Sequence, residues 1–224
     1  MLTLRSISKK FLTQDVETRA LIDVNMDIGS GEFAVITGSS GSGKTTLLNV
    51  AGLLEPADGG VLKINDQDAS DLSDNQRSRM RRETIGFIFQ NFNLIPDLSI
   101  ADNISLPLRL RSMSRDVIRD KVEKSLSTVG LSTRQSHYPT QLSGGQQQRV
   151  AIARALAGEP KLIFADEPTG NLDSTMSAQV MELLKDINDK GTTIVMVSHD
   201  ENQAKMGSRR IIMRDGTVVD DVCV

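Results

Sequence analysis

The residues Gly38-Ser-Ser-Gly-Ser-Gly-Lys-Thr45 have types and a spacing suited to one task, holding a chain of phosphates. Glycines let the backbone curl until successive N–H groups point inward around phosphate oxygens, and a helix start adds partial positive charge. Lys44 can then reach the β- and γ-phosphates of a nucleotide, and the Thr45 hydroxyl can ligate Mg²⁺. The pattern G-x-x-x-x-G-K-[ST] carries weight only between a buried strand and a helix. Both are predicted here. Phe33–Thr37 is a short apolar run, as a buried strand would be, and Leu47, Leu48, Ala51 and Leu54 follow at helical spacing. A flexible Ser/Gly turn accounts for the glycines but not for the lysine, the threonine and both flanks.

Hydrolysis of a bound nucleotide also needs a metal partner and a group that activates water. Leu162-Ile-Phe-Ala-Asp166-Glu167 is an apolar strand ending in two carboxylates. Successive strand residues point to opposite sides, so the two carboxylates need not do the same job. Asp166 suits the Mg²⁺ shell, and Glu167, just past the strand, suits orienting or deprotonating the attacking water. Alone, Asp-Glu-Pro reads as a turn closing a strand; the phosphate loop changes that reading.

A second glycine-rich helix start lies at Thr140-Gln-Leu-Ser-Gly-Gly-Gln-Gln-Gln-Arg149. Ser143 and Gln146 fit the capping box S-x-x-Q. That explains neither Gly144 nor Gly145, each of which weakens a helix by about 1 kcal/mol relative to alanine. The other reading is a second anion site, where a serine, bare N–H groups and the helix dipole meet a group that approaches the backbone closely. Both readings stand at this level.

The elements that must position these groups follow from periodicity. Ile22, Val24, Met26 and Ile28 alternate with Asp23, Asn25 and Asp27, which predicts a strand with one buried face. Strands are predicted at Val61–Asn65, Ile85–Gln90 and Thr193–Ser198, with helices near Ser174–Asn188 and Glu201–Met206. Asp215-Gly216 between two apolar runs signals a hairpin. From about Leu98 to Ala157 the pattern is mostly helical, which suggests a helical subdomain inserted into an α/β core.

Composition narrows the function classes. The chain has 224 residues and a net charge of -3, so no global basic field recruits nucleic acid or an anionic membrane. The single cysteine, Cys223, can form no internal disulfide, and two histidines with one cysteine make a zinc site implausible. The opening MLTLRSISKK lacks the apolar core of a signal peptide, and no apolar run approaches the roughly 18 residues of a membrane span.

With these motifs in this order, the chain resembles the nucleotide-binding subunit of ABC (ATP-binding cassette) systems along essentially its full length. Gly38–Thr45 is similar to the Walker A motif and Leu162–Asp166 to Walker B, with Glu167 in the place of the catalytic glutamate. Leu142-Ser-Gly-Gly-Gln146 resembles the ABC signature, Leu172-Asp173 the D-loop, and His199 the switch histidine that senses γ-phosphate. The resemblance implies an α/β fold: a P-loop NTPase core of mainly parallel sheet, an N-terminal antiparallel β subdomain and an inserted α-helical subdomain. It implies one domain, with residues 1–90 and 158–224 as core and 91–157 as the helical part. ATP and Mg²⁺ are the implied ligands. Gly38, Ser39, Ser40, Gly41, Ser42, Gly43, Lys44, Thr45 and Thr46 would hold the nucleotide, with Ser143, Gly144, Gly145 and Gln146 closing on it from a partner subunit. Thr45, Asp166 and Gln90 would serve the metal, and Lys44, Gln90, Glu167 and His199 the catalysis. The aromatic that stacks on adenine is usually tyrosine in this family; the best match is Phe11, which reads equally as a strand-end or core phenylalanine.

The resemblance further implies a head-to-tail homodimer formed on ATP and an integral-membrane permease partner. That partner would hold the chain on the cytoplasmic face of the inner membrane. Ile85-Gly-Phe-Ile-Phe-Gln-Asn-Phe-Asn-Leu-Ile-Pro96, the triple glutamine Gln146–Gln148 and Asp166-Glu-Pro-Thr-Gly-Asn-Leu-Asp173 are most similar to the macrolide-exporter and lipoprotein-release group. Export, lipoprotein extraction and force transmission all fit that group. The competing function is a soluble ABC ATPase acting on DNA or ribosomes, but the interval between the Walker motifs lacks sustained heptads, and no nucleic acid is expected. Apolar residues in the Pro-interrupted segment Asn91–Leu98 read either as subdomain core or as a docking surface for the membrane subunit. Arg77, Arg79, Arg81 and Arg82 read as a solvated helix face, and His137 as a surface loop residue.

Overall fold

In a computed structural model, residues 1–13 and 16–223 are described. The chain opens with β1 (Leu2–Thr13) and β2 (Val16–Ile28), an antiparallel pair. With β4 (Gly59–Ile64) and β5 (Gln67–Asp68) they form one sheet in the order β2-β1-β4-β5. The apolar runs build a second sheet from β3 (Phe33–Thr37), β6 (Ile85–Phe89), β7 (Leu162–Asp166), β8 (Thr193–Val197), β9 (Arg209–Arg214) and β10 (Thr217–Cys223). Its order is β10-β9-β3-β8-β7-β6, parallel throughout except for the terminal β9–β10 hairpin.

Alternation within the central strands sends side chains into two cores. Phe33, Val35, Ile163, Ala165, Ile194 and Met196 face one, which they share with the helices α3 (Ile100–Arg109), α4 (Arg115–Thr128), α5 (Gly144–Leu156) and α6 (Ser174–Asp189). Ala34, Ile36, Leu162, Phe164, Val195 and Val197 face the other, closed by α1 (Lys44–Ala51) and the antiparallel sheet. Both faces are therefore covered, as parallel strands require. Two further helices, α2 (Asp74–Thr84) and α7 (Glu201–Ala204), sit before β6 and after β8.

Three local expectations need correction. Ile22 is exposed and Leu21 buried in its place, because Asp23 adopts a left-handed φ of 49° and shifts the phase of β2. Helix α1 ends at Ala51; Leu53, at φ 62°, is buried where Leu54 was expected, and Leu54 turns outward. The α2 arginines are not simply solvated: Arg81 Nη1 donates to the Leu53 carbonyl at 2.6 Å and Arg77 Nη1 to the Leu72 carbonyl at 3.3 Å, while Arg79 pairs with Glu83 in the open.

Close packing of β6 against α5 depends on Gly86. A Cβ there would lie 2.8 Å from the Ala155 carbonyl oxygen and 3.1 Å from the Pro160 ring. Gly86→Ala should therefore lower stability by about 1–3 kcal/mol, read as an earlier midpoint in urea unfolding. An unchanged midpoint would mean that α5 moves aside freely.

A candidate nucleotide site

The loop between β3 and α1 is shaped by backbone that only glycine adopts easily. Gly38, Gly41 and Gly43 have φ of 152°, 77° and 96°. Neighbours also leave no room for a side chain, since a Cβ on Gly38 would strike the Met213 carbonyl and one on Gly43 the Ala20 carbonyl. The β9–β10 turn supports the loop from below through the Gly216 N–H, which donates to the Ser42 carbonyl at 3.1 Å. Helix α1 starts at Lys44, and Gly43 before it supplies no side-chain cap, so the N–H groups of its first turn are left for an anion. Lys44 is buried, and its ammonium donates to the Gly38 carbonyl at 2.9 Å and the Ser39 carbonyl at 2.7 Å. The cation is thus held over the loop. The Thr37 and Ser42 hydroxyls are buried and, among the described residues, have no hydrogen-bond partner.

Two acidic groups meet this loop at the end of β7. The Thr45 hydroxyl donates to Asp166 Oδ1 at 3.2 Å. Burial pushes the Asp166 carboxyl above its ordinary range, and the nearby Glu167 adds to this, while the Thr45 hydrogen bond and Lys44 oppose it. A half-buried carboxylate and a hydroxyl side by side are hard oxygen donors, and they fit a small divalent cation. Among the described residues no cluster of three His, Cys, Asp or Glu could hold a metal by itself. A cation at Thr45 and Asp166 would take its remaining ligands from phosphate and water, as Mg²⁺ does.

Glu167 has a left-handed φ of 43°, rare outside glycine and a form of strain concentrated at functional sites. Its N–H donates to the Val197 carbonyl at 3.0 Å, fixing the turn to β8. Its Oε2 lies 3.1 Å from His199 Nδ1. Gln203 ties the two loops together: its Nε2 donates to the Thr169 hydroxyl at 2.8 Å, and its Oε1 accepts from the Ser198 hydroxyl at 2.9 Å. No sequence signal marked Gln203.

A cleft of about 450 Å³ joins these groups; Ser40, Gly41, Gly43, Lys44, Thr45, Thr46, Glu167 and His199 line it. Thr18, Arg19 and Ala20 of β2 complete one wall, and sequence reasoning missed all three. Phe11 stands opposite Thr18 in the β1–β2 register, partly exposed, with the Lys9 ammonium 5.5 Å from its ring centre. Phe11 itself does not line the cleft wall. Gln90, just past β6, makes its side-chain hydrogen bond with Asn171, Nε2 to Oδ1 at 3.3 Å, rather than with Thr45 or Asp166.

The second glycine-rich start is not part of this cleft: none of Leu142–Gln146 lines it. The capping box forms, with Gln146 N–H to Ser143 Oγ at 3.4 Å and Ser143 N–H to Gln146 Oε1 at 3.1 Å. The two glycines then separate. A Cβ on Gly145 would come 2.7 Å from the Met176 sulfur, so that glycine serves packing against α6. A Cβ on Gly144 would meet only Leu172 at 3.6 Å and Phe92 at 3.8 Å, ordinary contacts. Among the described residues, nothing demands glycine at 144. Farther along α5, buried Gln148 donates to the Pro168 carbonyl at 2.6 Å and the Phe89 carbonyl at 3.4 Å, tying the helix to the ends of β6 and β7.

Comparison with known proteins identifies the family. The ABC transporter family profile matches residues 21–170. Over 220 residues, 98% of each chain, the protein is 46% identical to the uncharacterized ABC transporter ATP-binding protein MJ1508 of Methanocaldococcus jannaschii. It is 43% identical to the macrolide export ATP-binding/permease protein MacB of Chlorobaculum tepidum, matching 99% of this chain but 34% of that longer one. Among solved structures, the dimeric post-hydrolysis state of the M. jannaschii cassette MJ0796 bound to ADP and Pi superposes with a TM-score of 0.92 at 42% identity, covering 100% of this chain and 98% of that one. A family profile over most of the chain, relatives above 40% identity along its length and a matching fold agree, and the chain belongs to the ABC transporter family as an ATP-hydrolysing cassette.

Proposed function

We propose that the protein works as a head-to-tail homodimer that closes on ATP, each nucleotide lying between the Lys44 loop of one subunit and the Ser143 helix start of the other. The observation that carries this reading is Gly144. It is a bare, partly exposed position beside a capped helix start, with no steric reason among the described residues and no place in its own cleft. A γ-phosphate from another subunit would supply the reason. The dimeric state of the similar cassette MJ0796, bound to ADP and Pi, supports a dimer.

In this reading Lys44 exchanges its two carbonyl partners for β- and γ-phosphate oxygens, and the α1 N–H groups close around them. Thr45, Asp166 and Gln90 would hold Mg²⁺, which when bound neutralises charge building on the phosphate oxygens. Glu167 orients water toward the γ-phosphorus and accepts its proton as the bond to the β-phosphate oxygen breaks, leaving ADP and inorganic phosphate. His199, 3.1 Å from Glu167, keeps that carboxylate turned toward the reacting water.

The energy would be delivered to a separate integral-membrane permease. Among the described residues no helix is long and apolar enough to cross a membrane. A groove of about 570 Å³ runs between α2, β6 and α3, walled by Leu54, Phe87, Phe89, Pro107 and Leu110 and rimmed by arginines. It adjoins the segment after Gln90 and offers a seat for a permease element, with residues 91–157 acting as the helical part of one domain. The permease would place the cassette on the cytoplasmic face of the inner membrane. The fused macrolide export ATP-binding/permease relatives support export as the work done, with lipoprotein extraction and force transmission as the alternatives.

Three outcomes are expected. Lys44→Ala should abolish ATP binding in isothermal titration calorimetry, and retained binding would remove the phosphate loop from the site. Glu167→Gln should accumulate an ATP-bound dimer on size-exclusion chromatography; a protein that stays monomeric at saturating ATP would contradict the sandwich. Mixing Ser143→Arg with Lys44→Ala, each inactive alone, should regenerate one composite site and measurable phosphate release. Absence of complementation between two folded mutants would argue that each site is built within one chain.

A further inference from the structure

Gln90 is held by a turn that also carries Glu167. Gly170 N–H donates to the Glu167 carbonyl at 3.0 Å and Leu172 N–H to the Thr169 carbonyl at 3.0 Å, so residues 167–172 form one folded unit. From this unit Asn171 grips Gln90 from both sides. Its Oδ1 accepts from the Gln90 amide at 3.3 Å, and its Nδ2 donates to the Gln90 carbonyl at 3.1 Å and to Asn91 Oδ1 at 2.8 Å. Gly170 makes the room. A Cβ there would lie 2.7 Å from Gln90 Nε2 and 3.0 Å from its Cδ. Gly170 does not have a left-handed φ, so space and not backbone freedom is what its missing side chain provides.

We infer that Asn171 and Gly170 form a clasp that parks the Gln90 side chain away from the Thr45–Asp166 pair, making Asn171 a positioning residue whose release is a step in metal engagement. The inference rests on the metal role given to Gln90 above. The backbone beyond Gln90 is anchored independently: partly buried Arg154 donates to the Phe92 carbonyl at 2.8 Å and also to the Asn93 carbonyl. Breaking the clasp therefore frees one side chain without loosening the segment. Asn171 also directly precedes Leu172, which lies against the bare face of Gly144. An approaching subunit would press on the residue beside the clasp.

The test compares Asn171→Ala, which removes the grip, with Gly170→Ala, which wedges the amide out of its seat. Both would be made in the full chain, alone and with Gln90→Ala. The first readout involves no turnover: Mn²⁺ affinity of the complex with a non-hydrolysable ATP analogue, by electron paramagnetic resonance. Either clasp variant should bind Mn²⁺ about three- to tenfold more tightly than the parent, the scale of one hydrogen bond. In hydrolysis, the Mg²⁺ concentration for half-activation should fall by the same factor while KM for ATP stays put. Both effects should vanish in the Gln90→Ala background, which a general structural role would not produce. Unchanged or weaker Mn²⁺ binding in both clasp variants, or tighter binding that survives Gln90→Ala, overturns the clasp. If Gln90→Ala alone leaves Mn²⁺ affinity untouched, the metal role of Gln90 fails and the clasp with it. ATP-analogue binding by the parent reports on the cassette reading separately.

Discussion

Burial of the central strands on both faces is the constraint from which the rest of this structure follows. With one core beneath β3, β7 and β8 and another above, their backbone groups can leave the protein interior only at strand ends. Ligand chemistry in such sheets belongs at the carboxyl ends, and here the phosphate loop, Asp166, Glu167, Gln90 and the His199 loop all emerge there. Charged groups need no separate scaffold. They are placed by where apolar runs stop.

Around that edge, polar side chains do the joining that apolar packing cannot. Gln148 reaches from α5 to the carbonyls closing β6 and β7, and Gln203 holds the His199 loop to the Glu167 turn. Amide donors placed this way favour one arrangement, because a shifted element would leave the Nε2 group of buried Gln148 unpaired at about 1–3 kcal/mol. The helix start at Ser143 is thereby carried on a rigid mount, although it lines no cleft of its own.

The segment after Gln90 shows the same logic in a strand-free region. Phe92 and Asn93 both adopt left-handed backbone, which costs energy for residues with a Cβ. Asn171 holds the beginning, Arg154 the two strained residues, and Asn103 the end. Asn103 is fully buried and bonds the backbone of Ile95, Leu98 and Ser99. Its apolar residues are divided between core and surface: Leu94 packs inward and Ile95 points out. The stretch therefore gives one apolar side chain to the core and leaves another exposed.

Much of this was legible in the residues themselves. The phosphate loop, the apolar strands on either side of it, the Ser143–Gln146 capping box and the helical character of the middle region are local, set by glycine conformation, side-chain alternation and short-range hydrogen bonds. Boundaries were less legible. A single left-handed residue at Asp23 or Leu53 moves which apolar side chain is buried, and periodicity does not register it. Tertiary structure alone decided which distant groups meet: Thr45 with Asp166 across 121 positions, Gln90 with Asn171 across 81. It also divided the glycine pair, giving Gly145 to the packing of Met176 and leaving Gly144 open. The physical reason is one of range. Local sequence sets the conformations a segment can hold, but which partner fills the space beside it depends on how the two cores close.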